Sequence, residues 1–133
     1  MVAMRVAALC VCVVLLCGCG AKTAKHQTET VIAHKSATGK QASATASADA
    51  GRFGQFSVRV GAAPNQRVTG GWVISCRGPG TMTSRDSHNF NGRTPLTVPT
   101  NPLASPDANA SCTVLALATL AGSGHVTVKL LGQ

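Results

Sequence analysis

Cys112-Thr113-Val114-Leu115-Ala116-Leu117-Ala118-Thr119-Leu120, then Gly122-Ser123-Gly124, then Val126-Thr127-Val128-Lys129-Leu130-Leu131, is the run that decides the fold class. Each flank alternates with period two, and the β-branched residues sit where a pleated ribbon wants them. The glycine-serine break between them is a turn signal, so the run predicts a β-hairpin. Cys112, Val114, Ala116, Ala118 and Leu120 share one face and are expected to meet Val126, Val128 and Leu130 in the core. The opposite face carries Thr113, Leu115, Leu117 and Thr119. That face is too apolar for plain solvent, so either another segment covers it or it is a contact surface.

The same texture extends upstream. Phe56-Ser57-Val58-Arg59-Val60 alternates cleanly. Over Val68 to Cys76, the residues Val68, Trp72, Ile74 and Cys76 share parity, and Val73, Ser75 and Arg77 take the other face. Gly70-Gly71 inside that strand predicts a bulge or a close backbone approach. Between the halves, Gly78 to Ser111 is rich in turn signals. Thr94 to Pro99 fits an edge strand, where proline is tolerated. Arg85 to Asn91, Asn101-Pro102 and Ser105 to Asn109 read as surface loops. The fold class expected is all-β, a small disulfide-linked β-sandwich over residues 52–133.

Aromatic residues make up 3% of the 133-residue chain, with one Trp, three Phe and no Tyr. The core therefore has to be Val, Leu, Ile and Ala around Trp72, and a small core of that kind gains from a covalent staple. Two of the six cysteines, Cys76 and Cys112, fall in this region. An even pair in an exported domain reads as one disulfide, and no histidine stands at zinc-ligand spacing from either. Closing a loop of that length contributes roughly 3–4 kcal/mol in the chain-entropy picture. A cysteine on an early strand and one opening the penultimate strand resemble the inter-sheet staple of immunoglobulin-like sandwiches. The resemblance is architectural, because Trp72 precedes the first cysteine and no Tyr is present for a tyrosine corner.

The chain begins with a positive end, Met1 to Arg5, followed by an apolar core, Val6 to Leu16. That order and length are those of a signal peptide, and the core is shorter than the ~20 residues needed to span a bilayer. It closes on Leu16-Cys17-Gly18-Cys19, which resembles the lipobox of bacterial lipoproteins. The resemblance implies removal of residues 1–18 and a diacylglyceryl thioether, with palmitate-type acyl chains, on Cys19. The protein is then lipid-anchored on the outer face of the bacterial cell membrane. Residues 19–51 are rich in Ala, Thr, Ser, Lys and Gln and read as a flexible spacer with a transient helix around Thr28 to Ser36. The order of lipobox, spacer and small disulfide β-domain is similar to small envelope lipoproteins of high-GC Gram-positive bacteria.

The formal charge is +8 and the sequence pI about 9.8. Such charge draws anionic envelope material, or simply keeps a small domain soluble. The arginines are scattered without interleaved aromatics, which argues against specific nucleic-acid binding. An enzyme is not expected. Within residues 52–133 the carboxylates are Asp86 and Asp107 alone. Ser84 or Ser87, His88 and Asp86 are sequence neighbours, whereas catalytic triads converge from separate elements. No nucleophile elbow, phosphate loop or zinc-protease motif occurs. No cofactor or metal is expected, since His26 and His34 lie in the spacer and His88 and His125 read as solvated. The binding candidates are Arg85, His88, Phe90 and Arg93, with Phe90 expected to stand exposed in a polar loop. The expected function is a tethered binding or interaction module for an envelope protein or an anionic polymer; the alternative is a structural or shielding lipoprotein without a specific ligand. Oligomeric state is left open by the sequence.

Overall fold

A computed structural model describes residues 28–50, 53–78, 81–103 and 111–133. The expected signal peptide, residues 1–18, and Cys19 lie outside the described residues. Eight strands follow one another: β1 Thr30–Lys40, β2 Ser43–Asp49, β3 Phe56–Gly61, β4 Arg67–Gly78, β5 Thr81–Arg93, β6 Leu96–Pro99, β7 Ser111–Leu120 and β8 Ser123–Gly132. They form two four-stranded sheets, in the orders β1-β8-β3-β6 and β2-β7-β4-β5. Every pairing is antiparallel.

The pairing has a simple logic. β1 pairs with β8, β2 with β7, β3 with β6 and β4 with β5, so the chain is one long ribbon folded at the β4–β5 connection. Rolling the ribbon up adds the contacts β3–β8 and β4–β7. This connectivity is that of an eight-stranded jelly roll. It is a β-sandwich, as expected, but the likeness to immunoglobulin domains ends at the two-layer architecture. Immunoglobulin strands are arranged ABED and CFG, an order that the rolled ribbon does not reproduce.

The roll corrects the hairpin expected at the C-terminal end. β7 and β8 follow each other closely, yet they lie in opposite sheets. Both edges of β7 are taken by β2 and β4, and both edges of β8 by β1 and β3. Their apolar faces meet across the sandwich rather than side by side. Val114, Ala116, Ala118, Val126, Val128 and Leu130 are all buried, so the faces were read correctly although the pairing was not. The ribbon bends between sheets at two stacked corners: Gln41 N–H donates to Gly122 O at 3.1 Å, and Leu120 N–H to Ala42 O at 2.9 Å. Gln41 adopts a left-handed φ of 52° to make this bend.

The expected spacer is also corrected. Residues 30–49 form two strands of the sandwich, and no helix forms over Thr28 to Ser36. In β2 the alternation uses Ala against Ser and Thr: Ala44 and Ala46 are buried, while Ser43, Thr45 and Ser47 are exposed. Their partners on β7 are Ala118 and Ala116. Small side chains are wanted there because Trp72, 2% exposed, lies beside Ala116 and fills the layer. A low-complexity Ala/Ser/Thr composition thus carries a period-two pattern whose apolar member is merely small.

The disulfide joins Cys76 to Cys112, as expected. It does not bridge the sheets. The two cysteines are directly opposed on the adjacent strands β4 and β7 of one sheet. The edge strand expected over Thr94 to Pro99 is β6, which ends its sheet. Its approach is fixed by the buried Thr94, whose hydroxyl donates to Ala63 O at 2.6 Å and accepts from Gln66 N–H at 3.2 Å.

Candidate functional site

The four residues expected to bind do not converge. Arg85, His88, Phe90 and Arg93 all lie on β5, which is a strand and not a loop. β5 lacks apolar alternation because it is an edge: main-chain pairing to β4 holds it, and its outer side chains face water. Alternate residues point to opposite faces, so Arg85 and Arg93 share one face and His88 and Phe90 the other. Arg85 and Arg93 are separated by about 27 Å of extended strand. Phe90 is 8% exposed and belongs to the core. Its ring stacks over Gly70, where a Cβ would come within 2.6 Å of the ring and collide with Leu117 O. The glycine pair is therefore a close approach, and the register shift between β4 and β5 falls opposite Cys76/Arg77, where β5 carries the extra residue. His88 is exposed, with its ring 6.2 Å from that of the buried Trp72. The Arg93 guanidinium donates to Asn65 O at 2.9 Å. Asp86 accepts from the Asn101 amide at 2.7 Å. Among the described residues no group of three His, Cys, Asp or Glu is placed to hold a metal ion.

The candidate site lies on the outer face of the β2-β7-β4-β5 sheet and takes in part of β5; of the four expected residues only Phe90 borders it, from beneath. The registers give its rows. Ser47, Leu115, Val73 and Ser87 run side by side across the four strands, and Thr45, Leu117, Gly71 and Asn89 form the next row. Thr119 and Thr69 stand above them, and Thr113 and Ser75 below. Leu115 and Leu117 are 40% and 38% exposed. Nothing among the described residues covers them, so the expectation of a covering segment is not met there.

Gly71 makes the face concave. With no side chain between Leu117 and Asn89, the floor drops to backbone, and the Asn89 amide leans over the gap: a Cβ on Gly71 would stand 2.8 Å from Asn89 Oδ1. The result is an open trough of about 660 Å³, with Val73, Leu115 and Leu117 as its apolar part and Ser87, Asn89, Thr69 and Thr119 on its rim. That volume is within the range of small-ligand and side-chain pockets. No charged side chain lines it. The nearest charges in register flank it on both sides: Asp49 and Arg85 at opposite corners of the Asp49-Thr113-Ser75-Arg85 row, and the paired Arg67 and Arg93 one row beyond Thr69. The trough can therefore take apolar groups while offering hydroxyl and amide hydrogen bonds at its margin. Sequence reading found Leu115 and Leu117 by their wrong-side hydrophobicity, but the Gly71 gap and the Asn89 wall emerge only from strand pairing.

No protein-family model matches this chain, and no curated protein or solved structure is significantly similar to it.

Proposed function

We propose that the chain is a lipid-anchored binding module of a bacterial envelope, moored through Cys19, which engages a protein partner on the outer face of the β2-β7-β4-β5 sheet. The observation that carries the binding half is the pair Leu115 and Leu117, exposed beside Val73 and the Gly71 gap. On a solvent-facing sheet, alternation favours polar residues there. Two adjacent leucines over a glycine floor instead fit a complementary apolar side chain. The uncharged rim favours a polypeptide that presents such a side chain over an anionic polymer. The role is non-catalytic: the trough is lined by hydroxyls, amides and apolar groups, and Asp86 and His88 lie on the other side of β5.

The mooring rests on the lipobox resemblance and on charge order along the leader. β1 begins at Thr30, so ten residues, 20–29, separate Cys19 from the first strand. Ten residues reach at most about 36 Å when fully extended, so the domain stays within that distance of the bilayer surface.

Two measurements test the reading. Metabolic labelling with palmitate should mark the parent protein and leave Cys19→Ala unlabelled. A photo-crosslinking amino acid at position 117 in intact cells should trap one discrete polypeptide, lost when Leu115→Ser is added. A crosslinker at position 129, on the other sheet, should not trap it. If both positions yield the same diffuse adducts, the binding face is wrong and a shielding role without a specific ligand takes its place.

A further inference from the structure

The outer face of the second sheet carries two adjoining cations, Lys129 and Arg59, in one row. Registers align His34 with Lys129, Lys129 with Arg59 and Arg59 with Thr97. Arg59 and Lys129 are directly opposed, and like charges so placed repel. An anion accompanies them. Glu29, immediately before β1, has both carboxylate oxygens held: Oε2 accepts from Arg59 Nη2 at 2.8 Å, and Oε1 from Gln133 Nε2 at 3.1 Å.

Arg59 also lines a hollow of about 260 Å³, together with Gly61, Thr127 and Lys129; the hollow extends from the Arg59–Lys129 pair toward Gly61 and Thr127, while Glu29 sits toward the Gln133 end of β8. Gly61 again removes a side chain, and a Cβ there would meet nothing within 4 Å. The Thr127 hydroxyl is fixed by Ser36 Oγ at 2.7 Å and by His125 Nε2 at 3.2 Å, while His125 Nδ1 is fixed by Thr38 Oγ1 at 2.8 Å. Arg59, Lys129 and Thr127, the last with its hydroxyl positioned, thus line one open space, and the Arg59 guanidinium is the group shared with Glu29.

We propose that this hollow is a phosphodiester-binding site and that Glu29 is its internal competitor. A phosphodiester presents two charge-bearing oxygens, and Arg59 offers them the paired N–H geometry suited to phosphate. Lys129 adds a point charge from the neighbouring strand. With Glu29 seated, the Arg59–Lys129–Glu29 set carries one net positive charge; with Glu29 displaced it carries two. The incoming phosphate takes over the Arg59 bond and releases the carboxylate to solvent. Glu29 is two-thirds buried at its side chain and Arg59 about half, so the internal pair is a weak surface bond that a multivalent ligand outcompetes. This site lies on the opposite sheet from the apolar trough and depends on neither the trough nor Cys19.

The test uses the full chain in phosphatidylcholine nanodiscs. Its amide and arginine Nε–H resonances are followed by NMR while a glycerol-phosphate oligomer is added. A parallel sample carries phosphatidylglycerol in the disc instead. Shifts centred on residues 59, 61, 127 and 129 are expected. Glu29→Gln should tighten binding by about 2–5-fold, the size of an exposed ion pair. Arg59→Gln should weaken it by about tenfold or more, the size of a charge-assisted hydrogen bond. Arg77→Gln, on the other sheet, should leave it unchanged. Response to the oligomer identifies a soluble polymer as the source of phosphate, and response only to the phosphatidylglycerol disc identifies lipid head groups. A Glu29→Gln protein that binds no tighter than the parent overturns the proposal, as does an Arg59→Gln protein that binds equally well. The gain expected from Glu29→Gln cannot arise from misfolding.

Discussion

If residues 43–49 are a core strand, single substitutions along them must alternate in effect. Ala46 is fully buried, opposite Ala116, and Ser47 next to it is exposed, opposite Leu115. Replacing Ala46 with Gln forces extra volume into a close-packed layer beside Trp72, which costs about 1–3 kcal/mol. It also buries an amide with no partner, a further ~1–3 kcal/mol. The sum, about 2–6 kcal/mol, is a large share of the ~5–15 kcal/mol that a domain of this size possesses. Ser47→Gln places the same side chain on the outer face and should stay within about 0.5 kcal/mol of the parent. Urea unfolding followed by fluorescence provides the assay, because Trp72 is the only tryptophan and is buried. The midpoint should fall steeply for Ala46→Gln and hardly move for Ser47→Gln. Equal effects at the two positions, or none at either, would show that this segment is not a strand of the sandwich.

Further outcomes follow from other contacts. Replacing both Cys76 and Cys112 with Ala frees a loop of 36 residues and should lower stability by roughly 3–4 kcal/mol, read as the difference in urea midpoint against the oxidised parent. Gly70→Ala places a methyl against the Phe90 ring and the Leu117 carbonyl, and should destabilise by about 1–3 kcal/mol. Gly70→Ala combined with Phe90→Leu should recover part of that loss if ring contact is its cause. Thr94→Val strips the hydroxyl that bridges Ala63 O and Gln66 N–H, and should cost about 1–3 kcal/mol in thermal or chemical unfolding.

Much of the fold was legible because alternation is a local property. Val58, Val60, Val68, Ile74 and Val128 all point inward as their parity requires. Three strands escaped notice: the mostly exposed edge strand β1, the alanine-bearing β2 and the edge strand β5. β2 buries alanine, whose small apolar area separates it only slightly from the serines and threonines around it. β5 has little apolar face to display, since an edge strand is held by backbone hydrogen bonds that any sequence provides. Its polarity therefore resembles that of a loop, and Phe90 resembles an exposed anchor when it is a core residue lying over Gly70. For the candidate site, Leu115 and Leu117 were visible as apolar residues on the wrong parity, but no local signal marked Gly71 or Asn89 as their neighbours.

The chain's own order of residues determined which side chains are buried on most strands, that Cys76 and Cys112 join, and that the fold is all-β, because period-two patterning and cysteine count act over short spans or need no geometry. Tertiary structure alone decided that β7 and β8 part into different sheets, that the disulfide ties neighbours within one sheet, and that Glu29 meets Arg59 and Gln133. Partner choice among strands depends on which edges remain free after the whole ribbon has rolled up, and that competition is not written in any single segment.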